Sequence, residues 1–125
     1  MAIILLVDDD PLQAFVRKTA LEKFFPDVRR LSGPEALCLI EQSQIAAQLG
    51  LVISGTHMPG LSGADFVAEL HSRLPWLPVL ALGNGQAPAG SADDALIQYV
   101  SYPVSGAELL RLSRQMIEMN KASAA

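Results

Sequence analysis

Length, composition and charge place this chain among small globular domains and exclude several classes of protein. Its 125 residues are 50% hydrophobic, enough to bury one core without disulfides or a structural metal. A net charge of −4, with basic residues paired only at positions 17–18 and 29–30, argues against direct binding of nucleic acid. The apolar start at residues 2–7 is too short to span a membrane and lacks the basic residues of a signal peptide. We therefore expect a cytoplasmic domain without a membrane partner.

The chain opens with the pattern of a strand followed by a helix. Residues 2–7 form a continuous apolar run, typical of a strand buried on both faces of a parallel sheet. Asp10 is a good N-cap, and Pro11 suits the first turn of a helix that ends at Pro26. The apolar residues that recur at helical spacing in between are Leu12, Phe15, Val16, Ala20, Leu21 and Phe24.

A second strand and helix are predicted next. Residues 27–31 can form a short strand, and Ser32 with Glu35 has the pattern of a capping box at the start of a helix. Gly50 is expected to end this helix. Cys38 lies in its apolar run and is predicted to be a buried structural thiol. The residues expected to face the core are Ala36, Leu37, Ile40 and Ile45.

The rest of the chain repeats the alternation, which predicts β-α-β units and a doubly wound parallel sheet. We expect one domain at residues 1–121 and a frayed tail at 122–125. The predicted elements are a strand at 51–54, a helix at about 63–74, a strand at 78–82, at most a turn or two of helix within 91–95, a strand at 96–100 and a final helix capped by Ser105. The residues of the last two long helices expected to face the core are Phe66, Val67, Leu70, Leu109, Leu112, Met116 and Ile117.

Three motifs give the chain its resemblance to a known family. They are VDDDP at residues 7–11, MPG at residues 58–60 followed by Gly63, and YVSYP at residues 99–103. Together, and in this order of elements, they resemble the receiver domain of bacterial two-component response regulators across essentially the whole chain. The resemblance implies a flavodoxin-like fold, with five parallel strands in the order 2-1-3-4-5, helices on both faces and a fourth helix that is short or irregular.

The resemblance also implies a phosphorylation pocket at the carboxyl ends of the strands, where Asp8, Asp9, Gly55, Gly83 and Tyr102 are expected to converge. Asp8 and Asp9 match the family's two acids that hold Mg²⁺, although the residues alone are equally consistent with solvated loop acids. Gly55 stands where the family has its phosphate-accepting aspartate. Gly83 replaces the hydroxyl residue that binds the phosphoryl oxygen, and Tyr102 replaces the lysine that pairs with the acyl phosphate.

These departures predict a degenerate receiver, or pseudo-receiver, that is not an enzyme. No cofactor is expected, and Mg²⁺ is expected to bind Asp8 and Asp9 weakly at most. Tyr99 matches the family's aromatic switch residue, and either a permanently inward ring or an exposed ring on a partner-binding face is consistent with the sequence. The expected function is phosphorylation-independent contact with a protein partner in a bacterial signalling pathway, a second copy of the chain being one candidate.

The sequence is also consistent with other functions. The space left by the lost side chains is also suited to a sensor of a small molecule or anion, with Tyr102 and residues 83–85 as walls. The chain can equally be the N-terminal regulatory domain of a longer response regulator. An engineered aspartate-to-glycine change at Gly55 is a further interpretation, and the departures at Gly83 and Tyr102 argue against it. His57 is a substitute phosphate acceptor on chemical grounds, but the sequence places no base or cation to assist it.

Overall fold

The fold is a parallel sheet covered by helices. The computed structural model describes residues 3–8, 10–55, 57–58, 61–83, 97–101 and 104–124. Five strands form one parallel sheet in the order β2-β1-β3-β6-β7, and β4 pairs with β5 in a short antiparallel ladder. Since β4 and β5 lie outside the main sheet, this is the predicted order 2-1-3-4-5, and the predicted fold is confirmed. The elements are β1 (Ile3–Val7), α1 (Pro11–Glu22), β2 (Val28–Leu31), α2 (Gly33–Leu39), α3 (Ser43–Ala46), β3 (Leu49–Ser54), β4 (His57–Met58), β5 (Leu61–Ser62), α4 (Gly63–Arg73), β6 (Val79–Gly83), β7 (Ile97–Ser101) and α5 (Gly106–Ala124).

The sheet is buried on both faces, which explains the continuous apolar run of β1. Ile4 and Leu6 pack on the face covered by α1 and α5. Ile3, Leu5 and Val7 point to the opposite face, against α2 and α4. The predicted core faces of α4 and α5 are confirmed, since the buried residues there are Phe66, Val67, Leu70, Leu109, Leu112, Met116 and Ile117.

Helix α1 has a different buried face from the one that its apolar residues indicate. Ala14, Arg17 and Leu21 are buried, and of the six apolar residues picked out by spacing only Leu21 is fully buried. Helix α1 therefore turns a mixed face toward the sheet and an apolar face toward solvent. Its most exposed large apolar side chains are Leu12 (72% exposed), Phe15 (69%) and Val16 (54%).

Two predictions about the second helix are wrong. The helix ends well before Gly50, which is buried within β3, and Gln42 takes an extended backbone conformation between α2 and α3. Cys38 is exposed, not buried. It lies two residues from Ala36 and from Ile40, which are both buried, and residues two apart on a helix do not share a face.

The last part of the chain closes the domain against α1. Helix α5 reaches Ala124 and so includes most of the predicted tail at 122–125. A Cβ at Gly106 would lie only 3.0 Å from the Cβ of Ala20, so the glycine permits this close approach of α5 to α1. The predicted short helix within 91–95 lies outside the described residues. No helix in the described ranges is both long enough and apolar enough to cross a membrane.

Candidate functional site

Three of the five predicted pocket positions lie at the carboxyl ends of adjacent strands. Asp8 follows β1, Gly55 follows β3, and Gly83 is the last residue of β6. In the sheet β1 neighbours β3, and β3 neighbours β6, so the three positions share one edge. Asp9 and Tyr102 lie outside the described residues. This edge, defined by Asp8, Gly55 and Gly83, is called the pocket below.

The Asp8 side chain is buried and held by the protein on both carboxylate oxygens. Oδ1 accepts a hydrogen bond from the backbone N–H of Asp10 at 3.0 Å. Oδ2 accepts a hydrogen bond from Nη1 of Arg17, with which it forms a buried ion pair. The Nε of Arg30, in β2, donates to the backbone carbonyl oxygen of Asp8 at 3.2 Å. Two arginines from different elements therefore converge on this one residue.

Arg17 is the site residue that the sequence analysis missed. Its side chain is 9% exposed and lies on the buried face of α1 with Ala14 and Leu21. A signal was present in the sequence, because Arg17 stands three residues after Ala14 and four before Leu21, at core spacing. An arginine at such a position needs a buried acidic partner, and Asp8 supplies it.

Position 55 offers no side chain, and Ser54 before it does not replace one. The N–H of Gly55 donates to the carbonyl oxygen of Val7 at 3.0 Å, which fixes the end of β3 beside the end of β1. Ser54 is fully buried, and its Oγ donates to the carbonyl oxygen of Gly55 at 2.9 Å. This hydroxyl is therefore occupied within the backbone and is not presented as a nucleophile. His57 follows at the start of β4.

The remaining positions lie on β6 and β7. Gly83 is half-buried and has no hydroxyl to offer. Tyr99 pairs with Ala81 in the parallel register of β6 and β7 and is half-buried. Tyr99 is thus neither fully inward nor fully exposed. It lies two residues before the end of β7, the edge strand, which pairs with β6.

Comparison with known proteins identifies the family. The sequence profile described as response regulator receiver domain matches residues 4–112. The chain belongs to the response regulator receiver family. It is 28% identical over 122 residues to the C4-dicarboxylate transport transcriptional regulatory protein DctD of Pseudomonas aeruginosa. That match covers 94% of this chain but only 26% of the relative, so the receiver spans about a quarter of that relative's length.

Solved structures agree with this assignment. The response regulator receiver domain protein of Clostridium thermocellum is 25% identical, with a TM-score of 0.77 over 98% of each chain. The chemotaxis response regulator CheY4 of Vibrio cholerae is also 25% identical, with a TM-score of 0.76 over 93% of this chain and 98% of that one. The chain is thus a receiver signalling domain, a class that takes part in signalling with protein partners.

The described part of the pocket does not fit the Mg²⁺ ion that the resemblance implies. A metal at Asp8 would compete with the guanidinium of Arg17 and the N–H of Asp10, which already bind the two carboxylate oxygens. Gly55 adds no carboxylate, so among the described residues of the pocket only Asp8 offers one, and its charge is already paired with Arg17. Within the described residues no group of three or more histidine, cysteine or acidic side chains is placed to hold a metal.

A small cleft opens beside Asp8 on the β2 side of the receiver. It has a volume of about 170 Å³ and is lined by Asp8, Arg30, Leu31, Ser32 and Glu35. Small-molecule sites are usually larger, roughly 300–1,000 Å³. The carboxylate of Glu35 is also occupied, because it accepts a hydrogen bond from the backbone N–H of Ser32, which lowers the pKa of Glu35. The cleft gives no specific support to the sensor alternative.

Proposed function

We propose that this receiver domain is a pseudo-receiver that signals through protein contacts without being phosphorylated. The observation that carries the proposal is Gly55 at the end of β3, beside Asp8, where the resemblance assigns the phosphate-accepting aspartate. Glycine has no carboxylate, so no acyl phosphate can form at this position. The domain acts by binding, in the bacterial cytoplasm, on a protein partner or a second copy of itself.

Losses elsewhere in the pocket support the proposal. Phosphoryl transfer depends largely on positioned cations and hydrogen-bond donors that stabilise the charge of the transferred group. Gly83 provides no hydroxyl, and Tyr102 is not a cation. The Ser54 hydroxyl is already bonded to the carbonyl oxygen of Gly55. A change at position 55 alone would disable a switch, whereas these changes together remove the means of recognising phosphate.

The exposed face of α1 supports a role in protein binding. Leu12, Phe15 and Val16 are spaced i, i+3 and i+4, so they form one continuous apolar stripe on the outside of the helix. Soluble monomers rarely expose large contiguous apolar patches unless these bind something. Phe24 is also exposed, but the guanidinium of Arg114 stacks over its ring at 4.2 Å and covers part of it. The α1 stripe, Leu12, Phe15 and Val16, is therefore the surface we assign to the partner.

Intact mass spectrometry tests the loss of phosphorylation. The native chain is incubated with acetyl phosphate and Mg²⁺, alongside a Gly55→Asp variant and an unrelated active receiver. We expect an adduct on the active receiver and none on the native chain. The Gly55→Asp variant separates loss of the acceptor from loss of the whole pocket. A stoichiometric adduct on the native chain would overturn the proposal, and His57 would be the first acceptor to examine.

A matched pair of surface variants tests the binding role of α1. Phe15→Ser removes the centre of the stripe, whereas Trp76→Ser removes an exposed residue (42% exposed) between α4 and β6, outside the stripe. Self-association is measured by sedimentation velocity, and partner capture by pull-down from a lysate of the source organism. We expect the native chain and Trp76→Ser to behave alike and Phe15→Ser to lose the contact. No self-association and no captured partner for the native chain would end the proposal.

We also propose, from the size of its relative, that this receiver acts as the regulatory domain of a longer response regulator. The Pseudomonas aeruginosa protein that it matches over 94% of its length is named a transcriptional regulatory protein and is about four times as long. An immunoblot of a lysate of the source organism, with antibodies raised against this domain, tests whether the chain is part of a longer protein. A band well above the mass of the 125-residue chain is expected, and a band at that mass would exclude it.

A further inference from the structure

The negative charge of the Asp8 carboxylate is compensated by a cation of the protein itself, the guanidinium of Arg17. Its side chain is 10% exposed, and burying a carboxylate at this depth is costly unless a cation compensates it. The guanidinium of Arg17 binds one oxygen, and the N–H of Asp10 binds the other. Arg30 adds a second guanidinium at the backbone carbonyl of Asp8, 3.2 Å away.

Packing alone does not explain an arginine at position 17. The side chain lies on the buried face of α1 between Ala14 and Leu21, where an apolar residue would pack without losing hydration. Replacing a buried ion pair by apolar side chains is often neutral or stabilising in proteins. The bond to Asp8 suits an arginine at this position, because a guanidinium is a permanent cation with several N–H donors that fit a carboxylate.

We propose that Arg17 is an internal cation that takes the place of a divalent metal at Asp8. Each carboxylate oxygen of Asp8 already accepts a hydrogen bond, one from Arg17 and the other from the N–H of Asp10, so a metal ion would have to compete with the guanidinium for this carboxylate. The pocket therefore has one charge state, which does not vary with the concentration of Mg²⁺. This inference concerns the cation and not the phosphate acceptor, so it stands or falls independently of the chemistry at Gly55.

Metal titrations of the full chain test the inference. Mn²⁺ broadens NMR signals of nearby amides, and those of Asp10 and Gly55 report on the pocket. For the native chain we expect no saturable broadening at these amides and no change of Tm in millimolar Mg²⁺. The Arg17→Met variant should lose roughly 10 °C of Tm, because Asp8 is left without its cation. Millimolar Mg²⁺ should then restore several degrees, since a ligand that binds the folded state raises its stability.

Two controls keep the outcomes distinct. Arg29→Met removes an arginine whose partner, Asp27, is exposed, and it should behave as the native chain does in both titrations. Saturable Mn²⁺ broadening at Asp10 and Gly55 in the native chain, abolished by Asp8→Asn, would overturn the inference. An Arg17→Met variant that loses stability but takes up no metal would also overturn it, because the pair would then be an ordinary structural ion pair.

If Arg17→Met does not fold, the Mn²⁺ titration of the native chain still tests whether Arg17 takes the place of a metal at Asp8. In that case the response of the native chain to Mn²⁺ is compared with that of Asp8→Asn alone. Identical responses mean that Asp8 takes no part in metal binding while Arg17 is present, as proposed. A response of the native chain that exceeds that of Asp8→Asn at the amides of Asp10 and Gly55 refutes it.

Discussion

A double-mutant cycle measures how strongly the buried pair of Asp8 and Arg17 contributes to folding. The cycle consists of Arg17→Met, Asp8→Asn and the double variant. Methionine keeps most of the length of the arginine stem without its charge. Asparagine keeps an oxygen that accepts the N–H of Asp10, so that hydrogen bond survives in every variant. Each substitution therefore removes the charge of one partner with little change of shape.

The expected magnitudes follow from which charge is left behind. Arg17→Met leaves a buried carboxylate without a cation, which should cost about 3–5 kcal/mol. Asp8→Asn removes one charged partner of Arg17, whose flexible stem lets the guanidinium move toward water, so a smaller loss of about 1–3 kcal/mol is expected. The double variant leaves no charge on either partner and should lose at most about 1–2 kcal/mol, because only the asparagine N–H₂ group is left without its partner. The two single losses should thus exceed the double loss by at least about 2 kcal/mol.

Urea denaturation followed by far-ultraviolet circular dichroism gives the four free energies of unfolding. The m-value should stay constant across the cycle, since none of the variants changes the surface exposed on unfolding by much. Arg29→Met is the control, because its pair with Asp27 is exposed and its removal should leave the midpoint unchanged within error. Single losses that add up to the double loss would show that the two charges are not coupled, and the assigned role of Arg17 would be refuted.

Three further predictions concern the framework around the pocket. Gly106→Ala should lose about 1 kcal/mol in urea denaturation, since overpacking against Ala20 outweighs the gain in helix propensity; a stabilised variant would contradict the contact. Asp10→Ala should lose about 1 kcal/mol by the same assay, because the side chain caps two N–H groups of α1; an unchanged midpoint would show that the cap is dispensable. Hydrogen bonds from Ser32 lower the pKa of Glu35, so the native chain should be more stable than Glu35→Gln at neutral pH and lose this advantage as the pH falls through the folded-state pKa. Urea midpoints across the acid range check this sign, and an advantage that grows on acidification would contradict it.

The sheet was predictable because its signals are local. Continuous apolar runs such as β1 read as buried parallel strands, and strand order followed from the motifs of the family. The phase of α1 was not predictable from apolar spacing. Leu12, Phe15 and Val16 form a stripe as convincing as the one that is buried, and the choice between them is made by tertiary contacts with the sheet and α5. The end of α2 was predicted wrongly for a similar reason, since no proline or glycine marks the break between α2 and α3.

The pocket was predictable only in part, and the limit has a physical cause. Parallel strands bring their carboxyl ends to one edge, so the neighbourhood of Asp8, Gly55 and Gly83 follows from topology. The partner of Asp8 does not follow, because Arg17 lies nine residues away on a helix whose rotation has to be known first. An arginine within the spacing of Ala14 and Leu21 was the available sign.

Helix α1 links the pocket to the proposed binding surface because the same rotation serves both. At roughly 100° per residue, Arg17 lies about 160° around the helix from Phe15 and about 140° from Leu12. Turning Arg17 inward to Asp8 therefore turns the apolar stripe outward, and one orientation cannot be changed without the other. In this receiver domain the ion pair and the exposed stripe are two sides of one packing arrangement. The outward orientation of the stripe would then depend on the Asp8–Arg17 ion pair and not on the chemistry of position 55.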